Sequence, residues 1–339
     1  MGKDITVRLI SKTDLTETTC LDFGEVIAVM EEALLDYKRG KILLPDKITQ
    51  TFCEETQERI NCMPATLLEK KISGVKWVSV FPCNPSVYHC PTVSGVIILS
   101  ELEKGYPFAI MDGRYITTLR TACMGAIGAK YLAKKDSEIY CNIGTGEQAK
   151  MHFRTIQYVC PTIRTCYIAS RTSASEKRFA EEMQRDFPNV QFICCNSDYA
   201  AASKNADIIV TAVSSQIPLL RADAVKKGAF YCHVGGREDE DGVPLKADKI
   251  VCDDWHALKQ RTTPTISRMY QEGLLKDSDI YADIADIIDS AKPGRETDSE
   301  FIYFNSIGLG YIDVAVAYAF YQAVVSDGRG KMWMLDDLK

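Results

Sequence analysis

Histidine is scarce in this 339-residue chain: the four are His89, His152, His233 and His256, and no two fall at the spacing of helical metal ligands. No Cys-x-x-Cys pair occurs either, so no zinc site, and no metal, is expected. An HExxH helix, a GxSxG elbow and any Ser/His/Asp pattern are also missing, which removes the usual sequence marks of zinc peptidases and serine hydrolases. No run reaches the roughly 18 uncharged apolar residues that span a bilayer. The start, Met1-Gly2-Lys3-Asp4-Ile5, lacks an apolar signal core. A cytoplasmic location, away from membranes, is expected. A basic excess is lacking too: 40 Lys and Arg against 46 Asp and Glu leave a net charge of −6, which argues against a nucleic-acid partner. The thirteen cysteines are irregularly spaced and odd in number; without a signal peptide they are expected to be reduced, mostly buried thiols. Cys232-His233, in a strand-like run, reads as ordinary packing.

What is present suits two domains. Residues 24–39 space their apolar side chains as a helix and stop at Gly40. Strand-like segments follow at 48–53, 60–64, 74–81, 94–100 and 106–112; strands in succession without helices between them predict an antiparallel or mixed sheet. From Ile116 the chain becomes Ala-rich and helical. After Glu138 strands and helices alternate, the βαβ rhythm of a parallel, doubly wound sheet. Residues 255–290 read as helices around charged turns. The end reads as a short strand, a glycine turn and a long apolar helix. The expected fold is α/β, with a central Rossmann doubly wound parallel sheet at 131–302 inserted into an α+β domain made of 1–130 and 303–339.

The strand Ile139 to Ile143 runs into Gly144-Thr145-Gly146-Glu147-Gln148-Ala149, and a helix-compatible stretch follows. A GxGxx(G/A) motif alone is weak, but between strand and helix it has the context that dinucleotide binding demands. Gly144 makes the tight turn, Gly146 lets the backbone approach a pyrophosphate, and Ala149 takes the third glycine's place. The helix start offers N–H groups and a positive dipole end to the phosphates. NAD-binding proteins hold a carboxylate at the end of the next strand to accept from the ribose hydroxyls. Here that position carries Ser170-Arg171-Thr172-Ser173. No carboxylate repels a 2′-phosphate, and Arg171 offers it a charged partner. NADP(H) is therefore favoured over NAD(H), with an exposed turn carrying an incidental Arg as the plainer reading.

Cations supply the substrate candidates. Lys76 sits in the apolar strand Gly74-Val75-Lys76-Trp77-Val78, either as an edge residue reaching outward or as a buried functional cation. Arg120, inside the Ala-rich helix, needs a carboxylate or phosphate partner. Lys47, after Pro45-Asp46, reads by itself as a surface lysine. The turn Arg237-Glu238-Asp239-Glu240-Asp241 follows an apolar strand. It is either a solvated acidic turn or the source of one proton-transfer carboxylate at the edge where doubly wound sheets bind ligands.

In this order, SGVKWV, SGVIILS, ITTLRTACMGAIGAKYLA, IGTGEQA, ADKIVCDDW, KPGRE and FNSIGLGYIDVAVAYAFYQA resemble the ornithine cyclodeaminase/μ-crystallin family over nearly the whole chain. The resemblance implies a homodimer in which 1–130 and 303–339 form the substrate-binding and dimerisation domain, and a family whose activities include ornithine cyclodeamination, alanine dehydrogenation, ketimine reduction and opine-like imine reduction. Carried over by position, Lys76 and Arg120 hold an amino-acid carboxylate beside the nicotinamide, and Lys47 stands where many members have Arg. Thr92 resembles the family's threonine near the cofactor phosphates. Glu147 and Gln148 belong to the glycine loop, Thr211 lies toward the adenosine, and Val234, Ser306 and Ile307 lie toward the nicotinamide and substrate. The Ser170-Arg171-Thr172 turn resembles the Asn-Arg-Thr turn of NADPH-binding members. The chain departs from the family where cyclodeaminases carry an Asp and a Pro-Gly-Lys-like run. Gly236-Arg237-Glu238 stands there instead, and Glu238 becomes the carboxylate nearest the proton-transfer position. That shortened loop looks closer to N-(2-amino-2-carboxyethyl)-glutamate dehydrogenase-like enzymes.

The expected function is an NAD(P)-dependent amino-acid dehydrogenase or imine reductase, with Lys76 and Glu238 as its catalytic residues. The alternatives are a cyclodeaminase with tightly bound NAD that releases ammonia, and a non-catalytic, crystallin-like binder of NADPH or a small ligand.

Overall fold

Alternation of inward and outward residues in the first third of the chain builds one sheet, and its return from the far carboxyl end completes it. The computed structural model describes residues 4–18, 21–215 and 217–336; Met1 to Lys3, part of the amino-terminal stretch read above, lie outside them. Two compact units emerge, Met1–Arg120 with Gly308–Lys339, and Thr121–Ile307.

In the first unit, β1 (Ile5–Ile10) is followed by α1 (Lys12–Thr16), α2 (Phe23–Lys38), β2 (Ile42–Leu43), β3 (Ile48–Cys53), β4 (Glu58–Leu67), β5 (Ile72–Val80), α3 (Asn84–Val87), β6 (Val93–Glu101), β7 (Pro107–Asp112) and the start of α4 (Gly113–Leu132). The carboxyl end adds α12 (Gly310–Ser326) and β16 (Lys331–Asp336). The strand order is β16-β1-β7-β6-β5-β4-β2, with β3 on β4. Only β1 against β7 is parallel, so the expected mixed sheet forms. Helix α2 starts on a capping box in which Asp22 and Glu25 take each other's backbone N–H. Its Val26, Ile27, Met30 and Leu34 are buried. Helix α12 packs on β4, β5, β6 and α2. Gly74 makes its approach to β5 possible, because a Cβ there would come 3.0 Å from Val314 Cγ2. Strand β5 therefore turns Ile72, Gly74, Lys76 and Val78 inward and Trp77 outward.

The second unit holds β8 (Ile139–Ile143), α5 (Glu147–Val159), β9 (Thr165–Ala169), α6 (Ser173–Asp186), β10 (Gln191–Cys194), α7 (Tyr199–Ser203), β11 (Ile208–Thr211), β12 (Phe230–His233), α8 (Gly242–Lys246), β13 (Lys249–Cys252), α9 (Trp255–Leu258), α10 (Thr265–Gln271), β14 (Ala282–Asp283), α11 (Ile284–Ile288) and β15 (Ile302–Asn305). Its sheet runs β10-β9-β8-β11-β12-β15-β13-β14 and is parallel throughout. The chain starts in the middle at β8, moves out to β10, then returns to β11 on the other side. That reversal is the topological switch at which doubly wound sheets bind ligands.

The boundaries expected at 130/131 and 302/303 move. Strand β15 pairs with β12 and β13, so residues 303–307 stay with the parallel sheet. Residues 121–132 of α4 also stay there, because Gly125 and Gly128 leave room for His152, Phe304 and Phe230. Strand β16 is a further addition; its exposed KMWMLD sequence carries no alternation to reveal it. The cysteines among the described residues are all free, half of them buried. No helix there is long and apolar enough to cross a membrane.

Candidate functional site

Lys76 resolves the two readings that its sequence leaves open. Its side chain is 1% exposed and its Nζ lies 2.6 Å from Asp313 Oδ2. Arg120 Nε donates to the other oxygen of Asp313 at 2.8 Å. Asp313 stands in the first turn of α12, where the helix dipole favours a negative charge. Gly308, at φ +78°, lies against the Arg120 guanidinium, and a Cβ there would overlap it. Two buried cations thus share one buried carboxylate, and the cluster keeps one net positive charge. Burial, reinforced by the Arg120 charge, pulls Lys76 down to about 8 against the opposing pull of Asp313. Sequence reasoning missed Asp313, although a lone acid in the apolar GYIDVAVAYA run was available as a hint. Lys47 lies half-buried just before β3, and Thr92 half-buried just before β6, where its carbonyl accepts the Phe81 N–H.

In the parallel unit, β8 runs straight into Gly144, whose φ of +111° excludes ordinary side chains. A Cβ there would also lie 2.7 Å from the Ala212 carbonyl. Asn142 braces the turn by donating its amide to the Gly144 carbonyl at 2.8 Å. Gly146 is the N-cap of α5 and offers no side-chain cap to its N–H groups. A Cβ at Gly146 would meet nothing within 4 Å, so the backbone there faces open space. Ala149 is fully buried at the third glycine position. Glu147 is exposed, and the buried Gln148 amide oxygen has no hydrogen-bond partner among the described residues. An uncapped helix start behind an open glycine fits a pyrophosphate.

At the next strand end Arg171 is exposed and makes no hydrogen bond or ion pair among the described residues. The hydroxyls beside it are occupied locally. Ser170 Oγ pairs with Ser175 Oγ at 2.7 Å, and Thr172 caps α6 by accepting the Ser175 N–H. Of this turn, the guanidinium is what remains for a ligand.

The proton-transfer role expected of Glu238 does not fit its surroundings. Its carboxylate is fully buried. It accepts from Thr211 Oγ1 at 2.6 Å and from the backbone N–H of Val213, Gly235 and Val234 at 2.8, 2.9 and 3.2 Å. Burial pushes it up to about 7 despite these donors. Glu238 is a tie between the loops that leave β11 and β12. The Thr211 hydroxyl, expected toward the adenosine, is engaged by Glu238 and Tyr231. Asp239 is buried too, accepting from Thr265 Oγ1 at 2.7 Å and lying 3.3 Å from His233 Nε2. Burial moves Asp239 up to about 8 and His233 down to about 4, so His233 has buried carboxylate neighbours rather than apolar packing alone. The backbone of Ser306 and Ile307 is fixed in turn, Ser306 N by the His233 carbonyl and Ile307 N by Asp253 Oδ2 at 2.8 Å.

The model of the ornithine cyclodeaminase/mu-crystallin family matches residues 7–328. The chain is 32% identical to the N-((2S)-2-amino-2-carboxyethyl)-L-glutamate dehydrogenase of Staphylococcus aureus over 80% of its own length and 81% of that protein's. Its fold matches the Thermococcus litoralis Delta(1)-pyrroline-2-carboxylate reductase in complex with NADH and L-proline at a TM-score of 0.89 and 28% identity, covering 96% of this chain and 99% of that one. An archaeal alanine dehydrogenase dimer with bound NAD matches at 0.87 and 30% identity, covering 98% and 100%.

Proposed function

The chain belongs to the ornithine cyclodeaminase/mu-crystallin family, and from that premise we propose that it is an NAD(P)-dependent oxidoreductase acting on the α-carbon of an amino or imino acid. The observation that carries this reading is the buried cluster in which Lys76 and Arg120 share Asp313. Its one uncompensated positive charge calls for one carboxylate, the group that every α-amino and α-imino acid carries. The 32%-identical relative is an amino-acid dehydrogenase, and the two structural relatives are an imino-acid reductase and an alanine dehydrogenase, each holding a nicotinamide cofactor.

When bound, the nicotinamide supplies or accepts the hydride at that carbon. The Gly144–Ala149 loop and the start of α5 hold its pyrophosphate. In the mixed-sheet unit Lys76 and Arg120 bind and orient the substrate carboxylate, with Lys47 as a further substrate residue and Thr92 a cofactor-phosphate residue; in the parallel unit Val234 and Ser306 serve the nicotinamide and Ile307 the substrate. Lys76, at about 8, exchanges a proton with the substrate nitrogen in the physiological range. Arg171 faces the 2′-phosphate, which favours NADP(H), although both structural relatives hold NAD(H).

A second copy of the chain covers the outer face of the mixed sheet. There Trp77 pairs across with Cys62 and Val96, and Val75 with Pro64 and Ile98, while Ile98 and Leu9 flank Ile110. Leu9, Trp77 and Val96 are exposed, an apolar row of the kind that marks an interface. The alanine dehydrogenase relative is a dimer, and a cytoplasmic homodimer is the form proposed.

The test is a panel of cyclic imino acids and of 2-oxo acids with amines, run with NADPH and NADH. Net loss of the reduced-nicotinamide band at about 340 nm supports the reading. Ammonia release from ornithine without net cofactor change would establish a cyclodeaminase. Tight cofactor binding without turnover of any pair would establish a binding protein.

A further inference from the structure

A second buried carboxylate works at the same sheet edge. Glu176, in the first turn of α6, is fully buried. Its Oε1 accepts the backbone N–H of Ser170 and of Ser197, each at 2.9 Å, and its Oε2 that of Asn196 at 2.8 Å. Ser170 follows β9, while Asn196 and Ser197 follow β10. Both latter residues are left-handed, at φ 51° and 66°, a conformation that costs a side-chain-bearing residue, Ser more than Asn. Their consecutive N–H groups form an anion-binding nest, and the chain's own carboxylate fills it.

This tie reaches the cofactor through the turn it holds. Ser170 N is fixed by Glu176, and Ser170 Oγ is held by Ser175 and by the Thr172 carbonyl. The turn therefore has one arrangement, from which Arg171 projects without a partner among the described residues. A carboxylate at this edge ordinarily accepts from the ribose hydroxyls. Here both oxygens of the available carboxylate are spent on the main chain, so it is withheld from the ribose.

We propose that Glu176 is a positioning residue for the adenosine end of the cofactor: by tying the β9 and β10 exits together it presents Arg171 to a 2′-phosphate and denies the ribose diol its usual acceptor. The inference rests on the dinucleotide reading above and extends it to a residue that touches neither cofactor nor substrate.

The test uses calorimetric titration of the full-length protein with 2′,5′-ADP, which carries the 2′-phosphate but no nicotinamide, and with ADP. E176D keeps the charge and loses the reach by one methylene. It should weaken 2′,5′-ADP binding about tenfold, equivalent to about 1.4 kcal/mol, and change ADP binding less than about threefold, about 0.65 kcal/mol. Adding S197G, which adopts the left-handed conformation without cost, should recover most of the loss. Thermal melting run alongside reports any general destabilisation. The positioning role is overturned if E176D binds 2′,5′-ADP as the wild type does. It is also overturned if both ligands weaken alike in step with the melting temperature and S197G restores neither. R171A separates the two readings: if R171A weakens 2′,5′-ADP while E176D does not, the dinucleotide site stands and the role of Glu176 falls. If the wild type binds neither nucleotide, both fall.

Discussion

The Lys76 ammonium lies 2.6 Å from the Asp313 carboxylate, with both side chains shut away from solvent. Because Arg120 takes the other oxygen of the same carboxylate, neither cation is fully neutralised until a second anion arrives. That relationship makes Asp313 the holder of the two cations proposed to bind the substrate carboxylate.

Removing the shared anion should therefore be costly. D313N leaves two cations facing each other in the interior, and breaking a buried pair costs about 3–5 kcal/mol. Urea denaturation should show a loss of that size, and kcat/KM for the amino or imino acid should fall by about 100-fold or more, about 2.7 kcal/mol. A D313N protein as stable and active as the wild type would contradict the shared-anion account.

The charge on Lys76 should set the pH dependence of carboxylate binding. With its value lowered to about 8, the ammonium loses its proton as pH rises through that point, so anion binding is full below it and weakens above it. Pyruvate, whose carboxylate stays ionised throughout, serves as a competitive probe. Its inhibition constant should rise towards tenfold per pH unit above about pH 8, as for loss of a single proton. In K76A that limb should vanish.

Glu238 titrates as a buried structural acid. Its value rises from 4.5 to about 7, so the folded protein holds the proton more tightly than the unfolded chain between those values. Its contribution to stability is full below about 4.5 and declines as pH climbs through about 7. The stability of the wild type relative to E238Q should be greater at pH 5 than at pH 8, by about 3 kcal/mol at most. E238Q should keep kcat within about tenfold, whereas loss of a proton-transfer group would lower it about 100- to 10,000-fold.

The outer sheet face predicts an association state. Wild type should sediment as a dimer, and W77E, which places a charge in the centre of the apolar row beside Val96, should sediment as a monomer with its circular dichroism unchanged.

Local features were legible in the sequence because local chemistry dictates them. The strand into Gly144 and the helix after Gly146 need only neighbouring residues. The role of Lys76 was not decidable there, since its partner arrives from α12 at the other end of the chain. The Glu238 assignment failed for a related reason. An acid in a polar turn looks solvated or reactive until the Thr211 hydroxyl and the Val213 N–H, brought in by β11, close over it. Glu176 carries no local mark, because two of the N–H groups it accepts from, those of Asn196 and Ser197, lie 20 and 21 residues further along the chain. The domain boundary slipped because β15 enters between β12 and β13, an order that no local pattern encodes.

Hydride transfer to the α-carbon is tested most directly by isotope. Purified protein is incubated with NADPH deuterated at the transferring C4 position, together with pyruvate and ammonia or a cyclic imino acid, and the amino-acid product is analysed by mass spectrometry. One deuterium at the α-carbon, with product lost in K76A, is the predicted result. Product lacking deuterium, or no product from any imine while the cofactor stays bound, would contradict it.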